Sequence, residues 1–306
     1  MLKKIIELNQ LLNNDKLSFV AECDNEYANK TKDVAELIKK NIDKTPIILL
    51  SGPSGSGKTT TALSVEKILD ESGFETHTLS LDNYFHPLTD FEKEMFKQGK
   101  MDLESPKRVD VDFLNSQLEK MINCEAVSLP KFDFKDNKRV DSGVVLKRGK
   151  TEPIILEGIH SLNPDVIQIP DENTLKIYVS VRTRIGYGSI LMHPSKIRLI
   201  RRIIRDSIFR NRLPEETIKM FHSVELGEEK YIMPYKHRAN VDIDTFIPYE
   251  LSVYKPLALD KLKGLTKTDE IAEIIAVLSA FDSMSEQDVP KNSLIREFIG
   301  NGRFEY

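Results

Sequence analysis

Apolar residues along this chain follow two rhythms. In TKDVAELIKKNI (residues 31–42), Val34, Leu37, Ile38 and Ile42 recur at helical spacing, with charge on the other face. Residues 1–44 as a whole read as helical and polar. From Pro46 the rhythm changes. PIILLSG (46–52) is a short continuous apolar run closed by glycine, the pattern of a strand buried on both faces. A helix should follow from Lys58 to about Asp70, before Ser72-Gly73 breaks it. Further strands are expected in FETHTLSLD (74–82), EPIILEG (152–158), LKIYVSV (175–181) and HRANVDIDTFI (237–247).

Helical patterns lie between and after these runs, in VDFLNSQLEKMI, IRLIRRIIRDSIF, ELSVYKPLALDKL and DEIAEIIAVLSAF. Strands alternating with helices imply an α/β fold with a mostly parallel sheet and right-handed crossovers. Residues 128–150 break the alternation with LPKFDF and RVDSGVVLKR, which predicts a β-hairpin excursion. The expected organisation is a helical segment over 1–44 and one domain over 45–306. The latter carries the hairpin, an arginine-rich lid region over 185–225 and a helical part over 250–306.

The first strand runs into 52-GPSGSGKT-59, which fits G-x-x-x-x-G-K-[ST]. Gly52, Gly55 and Gly57 permit close backbone approach, so that the N–H groups around Ser54, Ser56 and the following residues can form an anion nest. The helix opening at Lys58, with Thr59 and Thr60, adds its positive dipole end. Lys58 can reach β- and γ-phosphates, and Thr59 can place its hydroxyl on Mg²⁺. These features predict ATP and Mg²⁺ as cofactors of a P-loop NTPase-type sheet. A guanine-reading N-K-x-D is expected downstream in a GTPase; Asn29-Lys30-Thr31-Lys32-Asp33 lies upstream with the wrong spacing.

Two acids close predicted strands, Asp82 in LSLDNYF and Glu157 in IILEGIH. Open α/β sheets place their chemistry at such strand ends, and a carboxylate there needs a metal or a substrate proton as partner. Ordinary turn or cap acids are the alternative. The segment IRLIRRIIRDSIFRNR sets Arg198, Arg201, Arg202, Arg205 and Arg212 on one helical face, with Asp206 the one acid. Such a face repels itself unless an anion joins it, and phosphate suits guanidinium forks. A lid over a triphosphate is the expectation; a solvated face or an RNA patch is the alternative.

Composition narrows the partners. A net charge of −4 over 306 residues argues against a general nucleic-acid binder. Two cysteines, Cys23 and Cys124, form no metal-ligand spacing and suit reduced thiols. The N-terminal MLKKIIELNQLLNN lacks a signal-peptide core and no run reaches spanning length, so a cytoplasmic protein with no membrane partner is expected.

In this order, GPSGSGKTT, LSLDNYF, DLESPKRVDVDFLN, LPKFDF, IILEGIHSLNP, RLIRRIIRDSIFRNR and YIMPYKHRANVDID resemble the uridine kinase/phosphoribulokinase group of P-loop kinases. The likeness is to its bacterial uridine kinase-like branch and runs from about Tyr27 to the C-terminus. It implies transfer of the γ-phosphoryl of ATP to a ribose 5′-hydroxyl. Asp82 matches the general base and Glu157 the acid near Mg²⁺. Glu104 matches the acid that holds ribose hydroxyls, with Asp102 a second candidate. Phe132 matches an aromatic beside the base, and Tyr84 joins the substrate side. Arg205 and Arg210 resemble phosphate-binding arginines, Arg202 and Arg212 nucleoside-side ones. Departures fall on the pyrimidine readers: Asn137 stands where the group has His, Met220 where it has Gln, and Phe132 where it has Tyr. The insert GYGSILMHPSK is also unexpected. A nucleoside, with a homo-oligomer allowed, is the leading reading. A kinase of another small alcohol (a sugar phosphate or pantothenate-like acceptor) and a non-catalytic nucleotide-binding regulator stay open.

Overall fold

The computed structural model describes residues 1–98, 101–265 and 268–304. A three-residue strand β1 (Leu2–Lys4) leads into α1 (Ile5–Asn14) and α2 (Lys16–Asn41). Asp15 separates the two helices and caps α2, accepting from Ser18 N–H at 3.1 Å. There follow β2 (Ile47–Ser51), α3 (Lys58–Glu71), β3 (His77–Ser80), α4 (Asp90–Lys97) and α5 (Val111–Ile122). β4 (Ala126–Asp133) and β5 (Lys138–Lys147) form the antiparallel hairpin predicted from the sequence. Next come β6 (Ile154–Glu157), β7 (Thr174–Ser180), β8 (Arg184–Tyr187), β9 (Ile190–Met192), α6 (Pro194–Phe209) and α7 (Pro214–Tyr231). The described chain closes with β10 (Val241–Asp244), α8 (Glu250–Lys263), α9 (Asp269–Ala280) and α10 (Arg296–Ile299).

Five strands make one parallel sheet in the order β10-β7-β2-β6-β3. Helices cover both faces, so β2 and β7 are buried throughout. Val34, Ile38, Val65 and Leu69 of α2 and α3 pack on one face, and Leu114 and Leu118 of α5 on the other. The sheet is a P-loop NTPase-type α/β sheet, and the carboxyl ends of β2, β6 and β3 open toward a common crevice.

A second apolar core lies beside the sheet. It joins Ile5 and Leu8 of α1 and Phe19, Cys23 and Tyr27 of α2 to apolar residues of α6, α8, α9 and α10. The insert GYGSILMHPSK supplies the β8–β9 hairpin, and β1 adds to β8 in parallel. Periodicity missed β1 because three residues show no alternation long enough to read. Both cysteines are free, and among the described residues no helix is long and apolar enough to cross a membrane.

Candidate active site

The phosphate loop joins β2 to α3. A Cβ at Gly52 would stand 1.9 Å from the Val179 carbonyl of β7, so only glycine lets the loop leave the sheet there. Gly57, at φ 86°, forms the left-handed N-cap of α3. The cradle is braced from outside. Ser54 receives Arg202 on its hydroxyl and Arg198 on its carbonyl; the Gly55 carbonyl receives Arg201 at 3.2 Å, and the Ser56 carbonyl receives the Thr245 hydroxyl at 2.6 Å. Lys58 Nζ lies back over the loop, donating to the Pro53 carbonyl at 3.3 Å. Thr59 follows it in the first turn of α3. Thr60 does not face an empty nest: its N–H and hydroxyl donate to Glu297 Oε2 at 3.3 and 2.5 Å.

Three carboxylates converge on Lys58. β3 ends at Ser80, and a 3₁₀ turn over Leu81–Tyr84 carries Asp82 off the strand that the sequence assigned to it. Burial pushes the Asp82 carboxyl above its usual range, while Lys58, Arg108 and Arg210 pull it back. Glu157, at the end of β6, is pushed up to about 7 by burial, with Lys58 opposing and Asp82 adding repulsion. Glu104 is raised by burial against the pull of Arg202 and Lys58. Lys58 is thus the shared counter-charge of three acids drawn from separate segments.

The arginine helix divides by depth. Arg201 is fully buried, donates Nε and Nη2 to Glu250 at 2.7 and 3.0 Å, and reaches the Thr245 carbonyl at 2.8 Å. Arg198 pairs with Glu228. Burial lowers the Arg202 guanidinium to about 10, and its Nε lacks a partner. Arg205, Arg210 and Arg212 converge on the buried Asp206 at 3.4, 3.0 and 3.0 Å. The anion that relieves this face in the structure is Asp206 of the same helix. Ile197, Leu199, Ile200, Ile203 and Ile204 anchor α6 in the second core. Through Arg202 the helix is a wall of the cradle, and only its exposed end near Phe209 projects from it.

On the acceptor side the assigned residues separate. Tyr84 is corrected from the pocket to the core: it is 1% exposed, its hydroxyl donates to Gln117, and its ring lies 5.8 Å from Phe113. The 3₁₀ turn that presents Asp82 necessarily rotates Tyr84 inward. Phe132 is also buried, edge-on to Phe85 and Phe134, and its N–H donates to Asn83. Asn137 sits at the hairpin turn with φ 49° and a buried Nδ2 that lacks a partner. A cleft of about 650 Å³ opens beside Glu104, lined by Met101, Asp102, Leu226, Gly227 and Tyr231. Gly227 of α7 lets Glu104 approach, since a Cβ there would stand 2.3 Å from Glu104 Cβ. Tyr231 fixes Asp102 through a 2.7 Å hydrogen bond, which places Asp102 on the rim.

Sequence reasoning missed Arg108, whose guanidinium lies 4.4 Å over the Phe85 ring and whose Nε is unpartnered. Its place two residues after the proline of DLESP was the available signal. It also missed Glu297, to which no local motif points. His160, buried and held neutral with a pKa lowered to about 4, shares the unpartnered condition at Nδ1.

Comparison with known proteins identifies the family. Residues 47–250 match the model of the phosphoribulokinase/uridine kinase family, a narrower span than the resemblance suggested. A uridine kinase of Borrelia duttonii is 30% identical over 198 residues, covering 64% of this chain and 85% of its own. A uridine kinase of Limosilactobacillus reuteri is 29% identical over 202 residues, covering 65% and 83%. The solved structure of YFH7 from Saccharomyces cerevisiae overlays 70% of this chain and 97% of its own, at 13% identity and a TM-score of 0.46. The chain belongs to the phosphoribulokinase/uridine kinase family, whose members are phosphotransferases acting on a hydroxyl acceptor.

Proposed function

We propose that this enzyme transfers the γ-phosphoryl of ATP to the 5′-hydroxyl of a nucleoside. The observation that carries the reading is Asp82. It leaves the sheet beside the cradle, feels Lys58, Arg108 and Arg210, and shares Lys58 with Glu157 and Glu104. A carboxylate so placed can take the acceptor's proton as its oxygen attacks the γ-phosphorus. The proton goes to Asp82, the bond to the β–γ bridging oxygen breaks, and ADP leaves. Lys58, Arg205 and Arg210 balance the charge spread over the equatorial oxygens. Glu104 can accept from two vicinal ribose hydroxyls beside the cleft.

The donor set fits Mg²⁺. Glu157 is a buried carboxyl whose pKa stands at about 7 without a divalent neighbour, and a cation would return it to its ionised form. Among the described residues no group of three His, Cys, Asp or Glu builds a metal cage. Mg²⁺ commonly binds through one or two carboxylates plus substrate phosphates, so Glu157 and the Thr59 hydroxyl would hold it. When bound it supplies charge neutralisation between the β- and γ-phosphates.

A second reading rests on Arg108. An unpartnered guanidinium nitrogen in the acceptor wall favours an anionic small alcohol, such as a sugar phosphate, over a neutral nucleoside. One experiment separates the two: ADP release measured against a panel of nucleosides, sugar phosphates and acidic alcohols, with Asp82→Asn in parallel. Nucleoside-dependent turnover that the variant loses supports the first reading. Turnover only with anionic alcohols moves the assignment to the second. ATP hydrolysis at one rate regardless of acceptor overturns both.

A further inference from the structure

The C-terminal segment reaches the one helix end that nucleotide phosphate needs. Thr60 is the third residue of α3, and the first N–H groups of a helix have no partner within it. Both donors of Thr60 are taken by one carboxylate oxygen, Glu297 Oε2. The pair is closed from solvent, with Glu297 7% and Thr60 1% exposed. Leu294 lies against the loop itself, 3.0 Å from where a Cβ on Gly57 would stand.

This segment is folded upon itself before it meets the cradle. The Arg296 guanidinium donates to the carbonyls of Glu286, Val289, Pro290 and Gly300, closing residues 286–300 into one loop. It is also seated in the second core through Val289, Leu294, Ile295, Phe298 and Ile299. Ser293 donates to Asp24 at 2.7 Å, Phe298 lies 4.9 Å beneath the Arg201 guanidinium, and Glu297 holds Thr60.

We infer that Glu297 is an internal stand-in for nucleotide phosphate: its carboxylate holds the first turn of α3, and ATP must displace that carboxylate from the Thr60 N–H. The inference rests on the cradle being the ATP site. Two anions cannot share the Thr60 N–H proton, and a triphosphate in the cradle would stand next to a like charge. Glu297 lies outside residues 47–250, the span that matches the family model.

The test measures binding of ATP and of tripolyphosphate to wild type, Glu297→Gln and Lys58→Ala. Hydrogen exchange of the 286–304 backbone is followed with and without ATP. Glu297→Gln keeps the side chain's size and an accepting oxygen, so the fold should persist. Removing the like charge should tighten both ligands by about tenfold, and ATP should speed exchange across 293–300 in wild type. Unchanged or weaker binding by Glu297→Gln overturns the inference, as does slower exchange of 293–300 with ATP. Lys58→Ala identifies the deeper failure. If it binds ATP as wild type does, the cradle is not the nucleotide site, and both the assignment and the latch fall.

Discussion

Residues 47–250 and the two flanks, 1–46 and 251–306, meet at the phosphate loop with different kinds of contact. The family segment contributes Asp82, Glu104 and Glu157, which share Lys58, with Arg108, Arg202 and Arg210 close enough to pull on the first two. Buried charged atoms left without a hydrogen bond, such as Glu104 Oε2, Arg108 Nε and Arg202 Nε, also lie there. Each costs about 1–3 kcal/mol unless a ligand completes it, so a cluster of them marks where a ligand belongs. The flanks instead pair their polar groups with each other and with the back of the cradle. Asn9 donates to the Ala280 carbonyl, Lys16 pairs with Asp288, Asp24 accepts from Tyr249 and Ser293, and Tyr27 meets Thr61. The difference teaches that unpaired buried charge identifies the chemistry and paired polar groups identify the brace.

The largest effects should therefore come from the family segment and leave the fold intact. Asp82→Asn should lower transfer roughly 10²–10⁴-fold while ATP still binds. Because burial raises the Asp82 carboxyl, the ionised base is lost as pH falls through a value above the ordinary carboxylate range. The acidic limb of kcat/KM in wild type should sit correspondingly high. Lys58→Ala should cost about 10²–10³-fold in kcat, the scale of one preorganised charge. Full activity in a folded Asp82→Asn protein would remove the general base from the mechanism.

Arg201 should break the comparison from the other side, since it belongs to the arginine helix by sequence and to the brace by structure. Arg201→Met leaves Glu250 buried without its cation, which should destabilise the protein by about 3–5 kcal/mol in urea unfolding. Arg205→Ala and Arg210→Ala should cost less stability than Arg201→Met, because Asp206 keeps its two other arginines, and should lower kcat more than they alter acceptor preference. A switch of acceptor in Arg205→Ala at unchanged kcat would reverse that assignment.

Glu157 gives a smaller effect with a defined sign. Its folded pKa of about 7 exceeds the ordinary 4.5, so the folded state holds a proton that the unfolded state has released between those values. Stability from this group is complete below about 4.5 and declines as pH rises through 7, by no more than about 3.5 kcal/mol. Glu157→Gln should flatten that part of the metal-free stability profile. If the slope survives the substitution, the proton sits elsewhere.

What was legible in the sequence follows the same division. The β2–loop–α3 unit could be read because the chemistry of phosphate binding dictates a contiguous pattern, from the apolar run to Thr59. The β4–β5 hairpin showed as alternation. The arginine face was legible as charge but not as depth: helical geometry places Arg201 and Arg205 near each other without saying that Glu250, 49 residues on, takes the first. Tyr84 was misplaced because a 3₁₀ turn, not the end of a strand, sets its direction. Glu297 was invisible, since its partner lies 237 residues away and no local spacing encodes such a contact.

The smallest prediction tests whether the N-terminal flank only braces. The Tyr27 hydroxyl meets the Thr61 hydroxyl at 2.9 Å, and Thr61 in turn donates to the Gly57 carbonyl at 2.8 Å. This chain runs from α2 to the N-cap of the phosphate-binding helix without touching the crevice. Tyr27→Phe keeps the ring in its buried site and deletes one hydroxyl. It should lower unfolding stability by about 0.5–1.5 kcal/mol, the usual net worth of one buried hydrogen bond. Turnover at saturating ATP and acceptor should stay within about twofold, because the cradle keeps its bonds to Arg198, Arg201 and Thr245. A tenfold fall in kcat at unchanged stability would mean that α2 positions the cradle for chemistry, and the flank would then belong to the active site rather than behind it.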